Sequence, residues 1–158
     1  MSKVEEQFFE QWNIYQNIIK HNYMCHKEII SALKAEIANK EKISVLDLGC
    51  GDSYVLKNSM NETQQIVYTG IDSSSAALEF SKKNLDISQV KSQHICGDFL
   101  EELEKLEGTY DLIIVGYSLH HLSSKDKKHC LSLISKVLNK EGKFFFYDIY
   151  AKENETSV

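Results

Sequence analysis

The spacing of apolar residues along the chain changes near residue 40. Before that point they recur every three or four positions, which predicts helix. One apolar face carries Val4, Phe8, Trp12 or Tyr15, and Ile18 or Ile19; another carries Ile29, Ile30, Leu33 and Ile37. The polar pair His21–Asn22 predicts a bend between two helices or a kink in a single one. We therefore expect residues 1–40 to form an N-terminal helical segment.

From residue 43 onward, short apolar runs alternate with amphipathic stretches. The predicted strands are residues 43–48, 66–71, 92–96, 110–115 and 143–150. The predicted helices run from Ser73 or Ser74 to about Leu85, over 99–106, and from Ser123 or Ser124 to about Leu138, followed by an exit turn at 139–142. This alternation predicts an α/β fold: a Rossmann-like, doubly wound parallel sheet of about five strands with helices on both faces.

Length and composition indicate one domain, residues 1–158, with a core from residue 41 onward. No apolar run approaches the ~20 residues that a membrane-spanning helix needs, and the first residues are too polar for a signal peptide. We expect a cytoplasmic protein that has no membrane partner. The four cysteines are scattered, which favours reduced thiols over disulfides, and we expect no metal site.

The charged residues argue against a nucleic-acid partner. The formal net charge is −5, and all eighteen basic residues are lysines. Arginine is the usual side chain for bidentate contacts to phosphate or guanine, and this chain has none. We therefore expect no binding of nucleic acid.

Chemically versatile residues follow four of the predicted strands. They are Asp47-Leu48-Gly49-Cys50-Gly51-Asp52-Ser53, then Asp72-Ser73, then Gly97-Asp98-Phe99, and then Gly116-Tyr117-Ser118-Leu119-His120-His121. Each motif alone also fits a tight turn or a helix cap. In a doubly wound sheet, however, the carboxyl ends of the strands meet at one crevice, where ligands bind. Together the motifs predict a single ligand site.

The ligand predicted from these residues is a nucleoside with a tail that is not a phosphate. Glycines in the first turn let the backbone approach a ligand closely. Asp72 lies 21 residues after Gly51, a spacing typical of carboxylates that accept hydrogen bonds from ribose hydroxyls. Asp98 is suited to an exocyclic amine such as that of adenine, and Phe99 offers an apolar edge.

A dinucleotide is disfavoured as the ligand. Tyr54 occupies the place of the third glycine of the dinucleotide fingerprint. Asp47 and Asp52 would repel a pyrophosphate, whereas a positively charged ligand would tolerate both carboxylates.

The ordered motifs resemble those of class I S-adenosylmethionine-dependent methyltransferases. The matching segments are Val45–Ser53, Gly70–Ser74, Cys96–Phe99, Tyr110–Val115, Leu119–Leu122 and Leu138–Phe144, which together span residues 43–150. The resemblance implies an enzyme that transfers a methyl group from S-adenosylmethionine to a small-molecule acceptor, with S-adenosylhomocysteine as product. The alternative from the same residues is a module that binds either ligand without catalysis, or an inactive fragment of a longer methyltransferase.

The resemblance also implies a role for each motif. The backbone of Gly49, Cys50 and Gly51 would wrap the methionine portion, and Asp47 would hold that loop and the amino group of the cofactor. The ribose hydroxyls would meet Asp72 and Ser73; the adenine would meet Gly97, Asp98 and Phe99; Tyr117 would lie beneath the sulfonium.

The resemblance is incomplete after the fifth strand. Members of the family add an antiparallel pair of strands there, whereas this chain ends about eight residues beyond strand five. We expect either a core truncated after strand five or a homodimer in which a second copy covers that apolar strand.

Two further hypotheses concern catalysis and the N-terminal helices. His120 and His121 are candidates for a general base, with His120 slightly preferred; packing or capping roles are as plausible. The segment 1–40 is expected to cover the cofactor as a lid, with Tyr15 or Tyr23 near its carboxylate. The alternative is an amphipathic helix whose tyrosine hydroxyls face water.

Overall fold

The computed structural model describes the backbone of residues 3–149 and the side chains from Trp12 to Ile149. Its helices are α1 Lys3–Lys20, α2 His26–Ile37, α3 Tyr54–Ser59, α4 Ser75–Asn84, α5 Phe99–Lys105 and α6 Ser124–Val137. Its strands are β1 Lys42–Leu48, β2 Gln65–Asp72, β3 Val90–Cys96, β4 Tyr110–Gly116 and β5 Leu138–Tyr147. The side chains of Val4 and Phe8, and all of Tyr150, lie outside the described residues.

All five strands are parallel and lie in the order β3-β2-β1-β4-β5. The chain first builds outward from β1 to β3, then returns to the other side of β1 for β4 and β5. This reversal makes the sheet doubly wound, as predicted, and opens a crevice at the carboxyl ends of β1 and β4.

Two apolar layers cover the sheet. On one face, Val45 of β1 and Ile66 of β2 belong to the same buried cluster as Leu33 of α2, Leu56 of α3 and Leu78 of α4. On the opposite face, the alternate residues of the strands pack against α5 and α6; this second cluster includes Leu46, Leu48, Ile113, Val115, Leu103 and Ile134. The central strands are thus buried on both faces, which explains their continuous apolar sequences.

Helix boundaries follow the polar caps of the sequence. The hydroxyl of Ser74 accepts a hydrogen bond from the Ala77 amide at the start of α4, and Ser123 does the same for the Asp126 amide at the start of α6. The N-terminal segment forms two helices: a turn separates them, with Asn22 and Cys25 both at φ 56°. Among residues 3–149, no helix is long and apolar enough to cross a membrane.

The structure differs from the sequence prediction chiefly at α3 and at β5, which ends at Tyr147 rather than at residue 150; β3 also begins two residues earlier than predicted, at Val90. Helix α3 was not predicted, because six residues are too few to show a helical period. The predicted exit turn Asn139–Gly142 lies inside β5, which begins when Leu138 pairs with Tyr110. The next pairing joins Lys143 to Leu112, so the four residues between form an irregularity in the strand rather than a turn before it.

Candidate functional site

A cavity of about 560 Å³ opens at the carboxyl ends of the strands, beneath α1 and the start of α2. Twelve of the fourteen residues proposed from sequence line it: Tyr15, Asp47, Gly49, Cys50, Gly51, Asp72, Ser73, Gly97, Asp98, Phe99, Tyr117 and His121. Tyr23 and His120 do not line this cavity. The four strand-end motifs therefore share one site.

The loop after β1 is folded tightly by backbone hydrogen bonds. The amides of Gly49 and Cys50 both donate to the Ile71 carbonyl, at 2.8 and 3.0 Å. Gly49 has φ +70°, and a Cβ placed there would lie 2.1 Å from the Ser118 hydroxyl oxygen. Only glycine fits this close approach of the loops after β1 and β4. At Gly51, with φ +53°, a Cβ would meet nothing within 4 Å, so the cavity begins there.

Asp72 is held by two backbone amides. Its Oδ2 accepts from the Gly51 amide at 2.8 Å, and its Oδ1 accepts from the Ser74 amide at 2.8 Å. Each oxygen keeps further lone-pair capacity. A carboxylate fixed in this way at the rim of a cavity is suited to accept hydrogen bonds from two adjacent hydroxyl groups.

Asp47 is a buried carboxylate of the site, with 6% of its surface exposed. Burial is the main cause that raises its pKa to about 7; the Tyr68 hydroxyl, which donates at 3.3 Å, acts in the opposite direction. The charges of Asp72 and Asp52 contribute to the rise. A positively charged group of a ligand would favour the ionised form of this carboxyl.

Asp52 and Asp98 each anchor local structure as well as line the cavity. Asp52 Oδ1 accepts from the Tyr54 amide at 3.2 Å and from the Tyr15 hydroxyl at 3.3 Å, which ties α1 to the loop after β1. Burial raises the pKa of Asp52. Asp98 Oδ1 caps α5 by accepting from the amides of Leu100 and Glu101 at 2.9 and 3.1 Å.

The two adjacent histidines differ in their contacts, because a carboxylate that was not predicted as a site residue binds only one of them. Asp148, which follows β5, accepts from the His120 amide at 2.9 Å and contacts His120 Nδ1 at 2.6 Å. This pair holds His120 outside the cavity lining, whereas His121 lines the cavity. Their ring centres are 3.9 Å apart.

The proposed lid contributes Trp12 and Tyr15 to the lining, but not Tyr23. Tyr23 is 73% exposed and stacks on His21 with ring centres 5.4 Å apart, because it lies in the turn between α1 and α2. The same turn is fastened to the core by the Tyr117 hydroxyl, which donates to the Met24 carbonyl.

His26 is a lining residue that the sequence reasoning did not place in the site. It begins α2 and is 3% exposed, and its Nδ1 is buried without a hydrogen-bond partner. Its ring centre lies 6.2 Å from Tyr15, 6.2 Å from Tyr54 and 5.8 Å from Tyr117. Burial lowers its pKa, which favours the neutral ring. The sequence shows this histidine as a polar ring among apolar helical positions, and the fold of the helical pair brings it over the cavity.

Comparison with known proteins points to one family. The methyltransferase-domain family matches residues 45–142. An uncharacterized methyltransferase of Bacillus cytotoxicus is 27% identical over 151 residues, which cover 93% of this chain and 68% of the relative. The malonyl-[acyl-carrier protein] O-methyltransferase of Priestia megaterium is 36% identical over 91 residues, which cover 58% of this chain and 31% of the relative.

Solved structures share the fold. An S-adenosylmethionine-dependent methyltransferase from Clostridium acetobutylicum superposes with a TM-score of 0.62 at 21% identity, covering 88% of this chain and 56% of that one. The plantazolicin methyltransferase BpumL, solved with S-adenosylhomocysteine, gives a TM-score of 0.63 at 20% identity, and the match covers 94% of this chain and 55% of that one. This chain therefore spans little more than half the length of these two structures.

Proposed function

Because this chain belongs to the class I S-adenosylmethionine-dependent methyltransferases, we propose that it transfers a methyl group to a small acceptor that is neutral or positively charged. The observation that carries the proposal is the convergence of four carboxylates, from the ends of three neighbouring strands, on one cavity. These are Asp47, Asp52, Asp72 and Asp98.

The lining fits the cofactor. Its amino group, ribose hydroxyls and adenine amine are all hydrogen-bond donors, and its sulfonium is positively charged. The cavity offers carboxylate acceptors, and its described lining contains no lysine. The cavity volume of about 560 Å³ lies within the ordinary range for small-molecule sites.

Each carboxylate has a proposed partner on the cofactor. Asp72, fixed by the amides of Gly51 and Ser74, would accept from the ribose hydroxyls. Asp47 would accept from the amino group, and Asp98 from the adenine amine. Because Asp72 and Asp98 are already held by backbone amides, little of their conformational freedom is lost on binding.

S-adenosylmethionine, when bound, supplies a methyl group already activated by the positive sulfur. The chain then has to align the acceptor, exclude water and accept a proton if the acceptor is a hydroxyl or an ammonium group. Trp12 and Tyr15 close the cavity from α1. His121, which lines the cavity, is the proposed proton acceptor. His26, which also lines the cavity and whose lowered pKa favours the neutral ring, is the second candidate.

The charge of the site supports this class of acceptor. A phosphate or carboxylate on the acceptor would approach several lining carboxylates without a lysine to offset them. The aromatic rings around His26 favour a flat or cationic group instead. Relatives whose names state an acceptor include the plantazolicin methyltransferase and the malonyl-[acyl-carrier protein] O-methyltransferase.

Calorimetric titration with S-adenosylmethionine and S-adenosylhomocysteine tests the site. We expect both to bind the wild type and to lose at least about a hundredfold in affinity in Asp72→Ala, because charge-assisted hydrogen bonds contribute about 1.5–3 kcal/mol each. Asp86→Ala, which removes an exposed carboxylate elsewhere, is the matched control. Unchanged affinity in Asp72→Ala would overturn the assignment.

Turnover separates the enzyme from the non-catalytic binding module. The assay measures S-adenosylhomocysteine formed with panels of amines, phenols and, as the disfavoured class, carboxylates. His121→Asn is expected to lower kcat at unchanged cofactor affinity, and His120→Asn is the neighbouring control. Binding without turnover on any panel favours the module; turnover confined to carboxylates refutes the acceptor class.

We also propose a cytoplasmic location. Cys25, Cys50, Cys96 and Cys130 are all free thiols, as expected in a reducing compartment. Labelling of four thiols in protein isolated without reductant tests this, and a disulfide-linked pair would contradict it.

A further inference from the structure

A continuous line of hydrogen-bonded side chains joins the cavity to the outer strand β3. The Tyr68 hydroxyl donates to Asp47 Oδ2 at 3.3 Å and lies 2.6 Å from the Ser53 hydroxyl. Ser53 Oγ is 2.6 Å from Ser81 Oγ, which in turn is 2.7 Å from Nε2 of His94. Five groups from β1, β2, β3, α4 and the loop after β1 therefore form one hydrogen-bonded line.

The three hydroxyl groups in the middle of this line are buried. Tyr68, Ser53 and Ser81 are 1%, 2% and 0% exposed, whereas His94 is half-buried. The tyrosine ring reaches Ser53 because it lies over Gly70, where a Cβ would come within 2.5 Å of the hydroxyl oxygen. A glycine two residues along β2 thus makes room for the connection.

Each hydroxyl in the line has a single hydrogen, so the direction of one hydrogen bond sets the next. When Asp47 is ionised, Tyr68 donates to it, Ser53 donates to Tyr68, and Ser81 donates to Ser53. Ser81 then needs a donor from His94, which requires the tautomer with hydrogen on Nε2. Reversing the line leaves Ser81 donating to His94, which requires the tautomer with hydrogen on Nδ1.

We propose that this line couples the two ends, so that the protonation of Asp47 and the tautomer of His94 change together. In the acid direction, a proton from solvent adds to Nδ1 of His94. The Nε2 hydrogen passes to Ser81, each hydroxyl passes one hydrogen onward, and Tyr68 delivers one to Asp47. The net change is one proton taken from solvent, a neutral Asp47 and a neutral His94 in its other tautomer.

The surroundings of Asp47 favour a proton transfer near neutral pH. Burial raises the pKa of Asp47 to about 7, within reach of ordinary changes in pH. The titratable groups that interact with it across the site are Asp52, Asp72, Tyr68, Cys50, Tyr15 and Tyr147. The acidic neighbours favour its neutral form, and the Tyr68 donor favours its ionised form.

The surroundings of His94 keep its ring neutral in the same range. Burial lowers the pKa of His94, the charge of Lys82 on α4 lowers it further, and Glu79 on the same helix opposes both. The Tyr68 ring lies 5.6 Å away on β2. Lowering the pH should therefore neutralise Asp47 before His94 becomes a cation, which leaves a window in which only the tautomer of His94 changes.

The consequence for function rests on the proposed role of Asp47 as acceptor for the amino group of the cofactor. His94 would then be a positioning residue: it never touches the cofactor, yet its tautomer accompanies the charge that binds it. Serine at position 53 is essential to the connection, because glycine there would leave a gap between Tyr68 and Ser81.

The test is a pH titration of the full chain without cofactor. Two-bond ¹H–¹⁵N spectra report the tautomers of the histidines, and His94→Gln assigns the His94 signals. The ¹³C signal of the Asp47 carboxyl reports its protonation. We expect the Nε2–H fraction of His94 to fall as the pH is lowered through the midpoint of Asp47. A tautomer ratio that stays constant through that midpoint would overturn the proposal.

Ser81→Ala interrupts the line and should abolish the response of His94 at the midpoint of Asp47. Ser59→Ala is the matched control, since Ser59 is also fully buried but donates to the Val55 carbonyl outside the line. If Ser81→Ala does not fold, Ser53→Ala makes the same cut. A response that survives the cut, in either variant, argues that the ends are not coupled through these hydroxyls.

Calorimetry with S-adenosylhomocysteine between pH 6 and 8 then separates the two proposals. Affinity is expected to fall up to about tenfold per pH unit below the midpoint of Asp47, as for one linked proton. A tautomer response with pH-independent affinity would leave the coupling in place and refute the role of Asp47 toward the cofactor. An affinity that depends on pH without the tautomer response would support the role of Asp47 toward the cofactor and refute the coupling.

Discussion

Gly49→Ala is the substitution whose effect the structure predicts in most detail. A Cβ at this position would lie 2.1 Å from Oγ and 2.8 Å from Cβ of Ser118, on the loop that faces it from β4. Rotating Ser118 removes the first overlap but breaks its 2.9 Å hydrogen bond to the Gly116 carbonyl. Rotation cannot remove the second overlap, so the two loops must move apart.

Three costs add in this variant. An alanine at φ +70° is strained by about 1–2 kcal/mol. The lost hydrogen bond of Ser118 costs about 1 kcal/mol, and the residual overlap costs about 1–3 kcal/mol. We expect a decrease of about 3–6 kcal/mol in the free energy of unfolding, measured by urea denaturation monitored by circular dichroism.

Two control variants separate strain from overlap. Gly108→Ala also places alanine at a positive φ, +90°, but its Cβ meets nothing within 4 Å, so only the strain of about 1–2 kcal/mol should appear. Gly49→Ala combined with Ser118→Gly removes both overlapping atoms and should recover most of the remainder. Equal losses in Gly49→Ala and Gly108→Ala, or no recovery in the double variant, would refute the reasoning.

Three further predictions concern the charge of Asp47, the N-terminal lid and the edge strand β5. Burial raises the pKa of Asp47 from 3.8 to about 7, so folding takes up a proton at pH values between these two. The free energy of unfolding of the wild type, relative to that of Asp47→Asn, should therefore fall by up to about 1.4 kcal/mol per pH unit as the pH rises from 3.8 to about 7. Urea unfolding at pH 5 and pH 8 measures this, and parallel curves would contradict it. Trp12, the one tryptophan of the chain, lines the cavity and stacks on Phe80 at 4.3 Å, so S-adenosylhomocysteine should change the intrinsic fluorescence, and Trp12→Phe should abolish the signal; an unchanged spectrum at saturating ligand counts against the lid. Within the described residues β5 pairs only with β4, so copies joined along its outer edge should double the mass in sedimentation equilibrium, whereas a monomer at every concentration excludes that homodimer.

The parts of the site that the sequence could predict are those set by strand periodicity. The period identifies where each strand ends, and parallel strands bring those ends together. Asp72 and Asp98 were placed on that basis, and both line the cavity. The sequence predicts helix starts at Ser73 or Ser74 and at Ser123 or Ser124, because a short hydroxyl side chain before a helix satisfies a free amide; Ser74 and Ser123 are the residues that do so.

The parts that the sequence could not predict depend on contacts between distant segments. His26 follows a turn in which Asn22 and Cys25 both adopt positive φ values; asparagine is enriched in that conformation, but nothing in the sequence predicts it for Cys25. His120 and His121 are indistinguishable by pattern, and Asp148, 28 residues further on, holds the first outside the lining. The line through Ser53, Tyr68 and Ser81 joins separate elements, none of which carries a motif for it.

The strand order has a consequence for how the chain folds as it is synthesised. β1 lies at the centre of the sheet, and β2 and β3 can assemble on one side of it as soon as they are made. The other side, where Val45–Leu48 pair with β4, receives its partner about 60 residues later, after roughly 3–12 s of synthesis. During that interval an apolar strand has an open edge, the feature that promotes association between nascent chains. Chaperone demand in the cell should therefore be greatest before β4 emerges from the ribosome, and ribosome-bound chains in which β4 has not yet emerged should be more prone to aggregate than those in which it has.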